Sequence, residues 1–297
     1  MAAKSTPRYR RFAALCLLGL GIALSPGPAS LADDLDRFAE HDPNSRAAID
    51  YSPVDVFLER FVQRSGARSK VYYEEIEQIA RPFVVEVLRY LRRAPIEQLN
   101  KDEQLALWLN LYLFESVRQT LAADIPRSAE DVVTGEDWSR KTVGVDDVRL
   151  SLGDIETLLQ RHWGDPLILY GLATPAKDAP AYPEKAFRGA TVWQQLEELA
   201  RDYVDASHGL KVRRGTAQVS PHILTRKAEW FDDNEAELLT HLAGLADERA
   251  SEKLQAVDTV EARKFRWRLN GAKRPARSNL SAGAIGGGGG GGGNFGS

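Results

Sequence analysis

A hydroxyl and an amine stand at a catalytic spacing in one proline-rich loop. Thr174 precedes Lys177 by three positions, which is the spacing of a Ser-x-x-Lys nucleophile pair. A lysine of lowered pKa can activate such a hydroxyl for attack on a carbonyl. Thr174 also stands before Pro175, where it more naturally caps a turn, and the pair recurs often by chance. Asp178 and His222 are further acid–base candidates, so the chemistry open to this loop is peptide or amide hydrolysis without a thiol.

The remaining titratable residues do not indicate a metal site. None of the five histidines lies four positions from another: they are His41, His162, His208, His222 and His241. Pairs such as His162 with Asp165, or His222 with Asp232, could assemble in space, but this density of His and Asp produces them by chance. Carboxylate pairs on helices are usually solvated, so a glycosidase-type pair is unsupported. We therefore predict neither a metal nor a cofactor.

One long apolar segment must position these groups. Asn100, with Glu103 three residues later, is a capping pair for the start of a helix. Residues 105–114 then have no polar face, apart from Asn110. A helix that is apolar all round is normally the buried centre of a domain. A buried amide costs about 1–3 kcal/mol unless it is hydrogen-bonded, so Asn110 should have a dedicated partner.

The first residues predict a signal peptide. Its basic region contains Lys4, Arg8, Arg10 and Arg11. Residues 12–24 form the apolar region, which is well short of the ~20 residues that a spanning helix needs. Ser30 and Ala32 occupy the small-residue positions before a cleavage site, with Asp33 as the expected new N-terminus. We predict export to the periplasm or the medium, with an uncleaved membrane anchor as the less favoured alternative.

Cleavage would leave a chain without sulfur nucleophiles and with a negative charge. The single cysteine, Cys16, lies within the apolar region and follows Leu15, where a lipoprotein site needs a small residue. The mature chain then has no disulfide, thiol nucleophile or thiolate metal site. Loss of four positive charges changes the net charge from −3 to −7. An acidic chain without a basic stripe argues against nucleic acid as the partner, and no stable membrane span remains after cleavage.

The rest of the chain predicts a single α+β domain over residues 33–270. It is mainly helical around the buried central helix, with a small antiparallel sheet. Hairpins are predicted at residues 141–150 and 210–219, and residues 265–269 alternate between apolar and basic types, as a half-exposed strand would. Residues 271–297 contain an unbroken glycine run and predict a disordered tail.

Several segments together resemble the bacterial family of domain of unknown function 547. The resemblance covers roughly residues 49–270. It begins with IDYSPVDVFLERFV and KVYY, continues through VRLSLGDIE and DPLILYGLATPAKDAP, and ends with FRWRLN. It is strongest at NKDEQLALWLNLYLFESV, where Trp108, Asn110 and Tyr112 follow the family's pattern of tryptophan, asparagine and tyrosine in an apolar helix. The order and spacing of these segments are more specific than any one of them.

The resemblance implies a distant relation to papain-like or transglutaminase-like thiol enzymes, but this chain departs from the pattern. Leu169 stands at the histidine position, and Thr174 and Ala179 stand at the cysteine positions, while Pro180 is retained. Leu113 replaces the second asparagine of the helix pattern. A threonine hydroxyl has a far higher pKa than a thiol, so Thr174 would not replace a thiolate unaided. The resemblance therefore implies a retained framework with its chemistry lost.

These observations favour a non-catalytic, exported binding or scaffolding module whose ligand is a peptide, the cell wall or another protein. Its groove would lie between residues 174–182 and the central helix. The candidate pocket residues are Trp108, Asn110, Thr174, Lys177, Asp178, Tyr182, His222, Trp230 and Asn270. The alternative hypothesis is a hydrolase with a non-cysteine nucleophile, which requires Thr174, Lys177, Asp178 and His222 to converge. A third hypothesis is a structural envelope protein that makes contacts through its tail.

Overall fold

The computed structural model describes residues 35–133 and 136–273. The predicted signal peptide and the glycine run lie outside the described residues. The described chain is mainly helical with small sheets, so the predicted α+β class is confirmed. Its α-helices are α1 (Ser52–Phe61), α2 (Tyr73–Ile79), α3 (Arg81–Leu91), α4 (Lys101–Ala122), α5 (Glu130–Val133), α6 (Glu136–Ser139), α7 (Leu152–His162), α8 (Val192–Asp205), α9 (Pro221–Leu224), α10 (Lys227–Trp230), α11 (Glu235–Leu245) and α12 (Glu248–Leu254). Short 3₁₀ helices span Arg37–Ala39, Ile96–Gln98 and Pro166–Gly171.

Helix α4 is the buried centre of the domain, as its sequence predicts. Residues 103–117 are all buried. The Asn100 side chain caps the helix by accepting a hydrogen bond from the Glu103 N–H at 2.9 Å. Helices α2, α3, α7 and α8 pack around α4. Helix α1 contacts it through Phe57, whose ring lies 4.8 Å from that of Phe114. Because neighbours cover α4 on all sides, no part of its middle needs a polar face.

The strands form three small sheets. They are β1 (Val62–Ser65), β2 (Arg68–Val71), β3 (Val143–Val145), β4 (Val148–Leu150), β5 (Leu210–Arg213), β6 (Thr216–Val219) and β7 (Thr259–Ala262). The pairs β1–β2, β3–β4 and β5–β6 are antiparallel, and β7 joins β6 in parallel. Both predicted hairpins are present. Arg214 and Gly215, with φ of 50° and 77°, supply the left-handed turn between β5 and β6.

Two elements differ from their predictions, and for a third the structure selects one of two predicted alternatives. The apolar face of residues 56–62 predicts a helix that ends just before Ser65, but α1 ends at Phe61, and Gly66 at φ 55° makes the turn of the β1–β2 hairpin. The amphipathic pattern over residues 235–249 predicts one helix, but Asp247 caps a new helix by accepting from the Ala250 N–H at 2.7 Å. The apolar run after Pro166, which suited a strand or a helical turn, is a 3₁₀ helix.

An extended segment, residues 263–273, crosses the domain and is called the strap here. It forms isolated bridges to Ser128, Ala176 and Val71. Side chains 264–269 alternate between exposed and more buried positions, which matches the half-exposed strand that the sequence predicts. The strap stays attached at its end, where the Ala272 N–H donates to the Val71 carbonyl at 3.0 Å. It therefore ties the C-terminal part of the domain to the N-terminal hairpin.

Candidate functional site

Asn110 has the dedicated partner that its burial demands. Its Nδ2 donates to the Phe187 carbonyl at 2.9 Å, and its Oδ1 accepts from the Phe187 N–H at 3.1 Å. The amide thus satisfies both backbone groups of one residue in a region where no water reaches them. Asn110 is completely buried, so this arrangement holds the chain in place and the amide is out of reach of a ligand.

Two carboxylates hold the same segment. Glu103 lies two turns before Asn110 on the central helix and accepts from the Gly189 N–H at 2.8 Å and the Ile49 N–H at 2.9 Å. A Cβ on Gly189 would lie 2.6 Å from the Glu103 Oε2, so only glycine permits this approach. Asp55 accepts from the Ala186 N–H at 2.7 Å. Glu103 therefore anchors backbone instead of returning to Asn100 in a reciprocal capping box.

The loop that carries Thr174 is closed over by the strap. The Lys177 N–H donates to the Arg268 carbonyl at 2.8 Å, and the Asn270 N–H donates to the Pro175 carbonyl at 2.8 Å. Thr174 is 3% exposed, and Lys177 is the only half-buried residue between positions 174 and 182, the others being buried. The predicted groove between this loop and the central helix is therefore filled by protein.

Asp178 is the charged centre of that closure. Its carboxylate accepts from the Arg266 Nη2 at 2.7 Å, from the Arg266 backbone N–H at 3.0 Å and from the Arg68 Nη2 at 3.2 Å. Burial alone would raise the pKa of Asp178, but the hydrogen bonds from Arg266 and Arg68 outweigh it and hold the pKa below its ordinary value. Asp178 therefore stays ionised and serves as the anchor of the strap.

Two more predicted pocket residues are packed into the interior on the strap side. The Tyr73 hydroxyl donates to the Asn270 Oδ1 at 3.0 Å. The Tyr182 N–H donates to the Ser69 Oγ at 2.6 Å, and the Tyr182 ring is fully buried. Burial raises the pKa of the Tyr182 hydroxyl above its usual value, so this group stays protonated. Both Asn270 and Tyr182 join segments of the fold to each other.

His222 belongs to a separate polar network that sequence reasoning missed. Its Nε2 donates to the Leu169 carbonyl at 2.8 Å. Nearby, Arg226 and Glu156 form a bidentate ion pair at 2.9 and 3.0 Å, and the Tyr112 hydroxyl donates to Glu156 at 2.7 Å. Burial and the Arg226 charge lower the pKa of His222 to about 3. The sequence carries no local signal for this network, because Tyr112 and Arg226 lie 44 and 70 positions from Glu156 and meet it only through packing.

The chemistry available to this network is limited by its own hydrogen bonds. Burial would raise the pKa of Glu156, but Arg226 and Tyr112 together lower it. Each Glu156 oxygen already accepts from the guanidinium, so the carboxylate stays charged and is a poor proton donor near neutral pH. A histidine of such low pKa is also a weak base. The arrangement is a link between helix α7 and the segment of α9 and α10.

The residues of the hydrolase hypothesis do not meet in the described structure. The Tyr203 hydroxyl is the nearest connection: it donates to the Asp178 carbonyl at 2.8 Å and lies 2.7 Å from the Ser220 Oγ, which caps the turn of His222. The Asp178 carboxylate faces arginines, and the His222 ring faces a carbonyl. No hydrogen bond or ion pair among the described residues joins the side chains of Thr174, Lys177, Asp178 and His222.

The two tryptophans predicted near the pocket are also buried. Trp108 is completely buried, with its ring edge-on to Phe38 at 5.1 Å. Trp230 is 7% exposed. Four open cavities of the described chain have none of the predicted pocket residues in their linings. The predicted pocket residues are thus mainly buried polar and aromatic side chains, and the open cavities lie elsewhere on the described chain.

One open cavity lies against the strap and is called the strap groove here. Its volume is about 720 Å³. The groove is lined by Tyr73, Glu74, Ile125, Pro126, Arg127, Arg268, Leu269, Gly271, Ala272 and Lys273. Its walls carry three cationic side chains and one carboxylate, while four apolar or aromatic side chains are large enough to contact a ligand. A cleft of this size with few polar groups is typical of a binding site for a small molecule or peptide.

Within residues 35–133 and 136–273, no group of three or more His, Cys, Asp or Glu side chains is placed to hold a metal ion. Among the helices of the same residues, none combines the length and the apolar character that crossing a membrane requires.

One of three comparisons with known proteins finds a similarity, and it covers part of the chain. No curated protein and no solved structure gives a match. A family model described as "Protein of unknown function, DUF547" matches residues 96–204. That range contains the central helix, helix α7, the loop of Thr174 and Asp178, and the Phe187 segment that Asn110 holds. The match over residues 96–204 therefore supports the resemblance to the DUF547 family for that part of the chain.

Proposed function

We propose that this protein is an exported, non-catalytic binding module of DUF547 type, derived from a thiol-enzyme-like fold whose reactive positions now stabilise structure. The observation that carries the proposal is the closure of the Thr174 loop by the strap. The strap covers the loop with two backbone hydrogen bonds, and Asp178 is held between Arg266 and Arg68. A site that must admit a scissile bond cannot be occupied by its own chain.

The protonation states of the candidate groups support the same proposal. A threonine nucleophile needs an adjacent base or an unusually acidic environment. Asp178 is already bound by two guanidinium groups, and the Nε2 proton of His222 is committed to the Leu169 carbonyl. Neither group has a described hydrogen bond to Thr174. The buried threonine hydroxyl therefore has no described partner that would take its proton.

The catalytic alternative is tested with the mature protein. Peptide libraries and amide substrates are incubated with wild type and with Thr174→Ala, and products are followed by mass spectrometry. We expect no cleavage by either protein. Thr157→Ala, which changes an exposed helical threonine whose hydroxyl bonds only to the Gly153 carbonyl, is the matched control. Cleavage that survives in Thr157→Ala and is lost in Thr174→Ala would overturn the non-catalytic assignment.

Export is supported by the basic, apolar and small-residue regions of residues 1–32. The full-length protein is expressed in a bacterial host, the periplasmic fraction is recovered, and the N-terminus is read by mass spectrometry. We expect a mature chain that begins at Asp33. A second chain lacking residues 2–32 should remain in the cytoplasm. Full-length protein that stays in the cytoplasm with its N-terminus intact would refute export.

A further inference from the structure

The strap groove is positive although the mature protein is predicted to carry a net charge of −7. Arg127, Arg268 and Lys273 line the groove, and Glu74 is the only acidic residue in its lining. Lys273 lies 3.4 Å from Glu74, and both are well exposed, so this pair contributes little binding energy of its own. The two arginines are therefore the dominant charges facing the cavity.

These two arginines differ from their neighbours in having no described partner. On the same strap, Arg266 is bound by Asp178, and Arg263 donates to the Gln218 Oε1. The side chains of Arg127 and Arg268 are exposed, and they make no ion pair or side-chain hydrogen bond within the described ranges. A guanidinium presents five donors in a planar fork that matches a carboxylate. The guanidinium groups of both arginines are thus available to a ligand.

The groove also has an apolar floor. Leu269 and Tyr73 are buried beneath it, while Ile125 and Pro126 are half-buried in its wall. A volume of about 720 Å³ is far more than one inorganic anion fills, since a water molecule takes about 30 Å³. Apolar contact area beside two guanidinium groups suits a ligand that carries both carboxylates and apolar side chains. An extended peptide has this alternation along its length.

The backbone holds the two arginines in a fixed relation. The Leu269 N–H donates to the Arg127 carbonyl at 3.1 Å, and Ser128 bridges to Arg268. Ile125 lies at φ 49°, a left-handed conformation that is unfavourable for a β-branched residue. Strain of this kind is kept where surrounding contacts impose it, and it is frequent at ligand sites. A preformed groove loses less entropy when a ligand binds.

We propose that the strap groove binds an extended acidic peptide. Carboxylates of the peptide pair with Arg127 and Arg268, and one of its apolar side chains packs against Leu269 in the floor of the groove. The proposal rests on the proposed function, because it names the ligand class of that binding module. Nucleic acid is the less suitable polyanion, since its affinity depends on many phosphate contacts and the rest of this protein is negatively charged.

The test uses the mature protein and two fluorescent hexapeptides with blocked ends. One has the sequence Glu-Leu-Asp-Glu-Leu-Asp, and the other replaces the acids with Gln and Asn. We expect only the acidic peptide to raise the fluorescence anisotropy, with an affinity that falls as salt increases. Arg127→Gln and Arg268→Gln should each weaken binding about fivefold, and the double variant should weaken it about 25-fold. Arg213→Gln, an exposed arginine on β5 outside the groove, should bind as wild type does.

Four results would overturn the proposal. The first is binding of the neutral peptide as tight as that of the acidic peptide, and the second is a loss of binding in Arg213→Gln as large as in the groove variants. The third is displacement of the peptide by inorganic phosphate at equimolar concentration. The fourth is self-association of the protein that Arg268→Gln abolishes, which would assign the groove to a second copy. Circular dichroism checks that each variant is folded. Mass spectrometry of the same samples separates this proposal from the proposed function. Cleaved peptide would refute the non-catalytic assignment, whereas intact but unbound peptide would refute only the acidic-peptide groove.

Discussion

Replacing Asn110 with leucine should show how much of the fold depends on one amide. Asn110→Leu keeps a side chain of similar length but removes a donor and an acceptor. The Phe187 N–H and carbonyl, which now lie 3.1 and 2.9 Å from the Asn110 amide, would both lose their partner. Phe187 is completely buried, so water cannot replace either hydrogen bond without opening the structure.

The expected loss of stability follows from the Phe187 N–H and carbonyl, which would have no hydrogen-bond partner. Each buried backbone group without a partner costs about 1–3 kcal/mol. Leucine recovers part of this cost, since burying an aliphatic side chain contributes about 1.5–3 kcal/mol. We therefore expect a net loss of about 1–4 kcal/mol in the free energy of unfolding. For a domain of this size, the melting temperature should fall by roughly 2–16 °C, at about 2–4 °C per kcal/mol.

Thermal and urea unfolding, followed by circular dichroism, measure this loss. Thr120→Val is the matched control on the same helix, because it leaves the Phe187 backbone groups untouched and removes a hydroxyl that donates to the Ser116 carbonyl at 2.8 Å. It should cost less than about 1 kcal/mol. Asn110→Asp adds a pH test. Its carboxylate would face the Phe187 carbonyl, which disfavours the charged form, so this variant should be less stable at pH 7 than at pH 4. Equal stability of Asn110→Leu and Thr120→Val would refute the role assigned to Asn110.

Substitutions at two glycines and at Asp178 should change the free energy of unfolding by predictable amounts. A Cβ on Gly209 would lie 1.9 Å from the Tyr203 carbonyl oxygen, so Gly209→Ala should lower the free energy of unfolding, measured by urea titration, by at least ~2 kcal/mol. Gly244 on α11 has open space around it, so the control Gly244→Ala should raise that free energy by about 0.5–1 kcal/mol. Asp178→Asn should cost about 1.5–3 kcal/mol at pH 7, a range kept modest because Arg266 is half exposed. The lowered pKa of Asp178 means that its contribution is present above the unfolded pKa of about 3.9 and is lost as pH falls through the folded pKa. The stability difference between wild type and Asp178→Asn should therefore shrink below pH 4, and a difference that stays constant from pH 7 to pH 2 would contradict this reasoning.

The sequence pattern predicts structure correctly where the hydrogen bonds join residues that are close together in the chain. The Ser151–Asp154 capping box forms in both directions, at 3.0 and 2.8 Å, as its spacing predicts. The turn at Arg214 and the burial of the central helix follow from the same kind of reasoning. The β1–β2 hairpin was missed because an apolar face on the preceding helix masked a strand of only four residues.

The predicted pocket shows the limit of the same reasoning. The sequence analysis places Asp178 and Asn270 among the ligand-binding candidates, but their side chains bind other parts of the protein. The partners of Asp178 lie 110 and 88 positions away, at Arg68 and Arg266. Chain spacing carries no information about such pairs, because they form only after separate elements pack. The strap groove was missed for the same reason, since its arginines come from distant segments.

The sequence alone determined which helix must be buried, that Asn110 needs a partner, and that a chain cleaved after Ala32 contains no thiol. These properties depend on residue type and short periodicity, which are set before folding. Tertiary structure decided whether the candidate side chains face a ligand or the protein. The strap closes the Thr174 loop and opens a cationic groove elsewhere, and both outcomes depend on long-range packing that no local pattern contains.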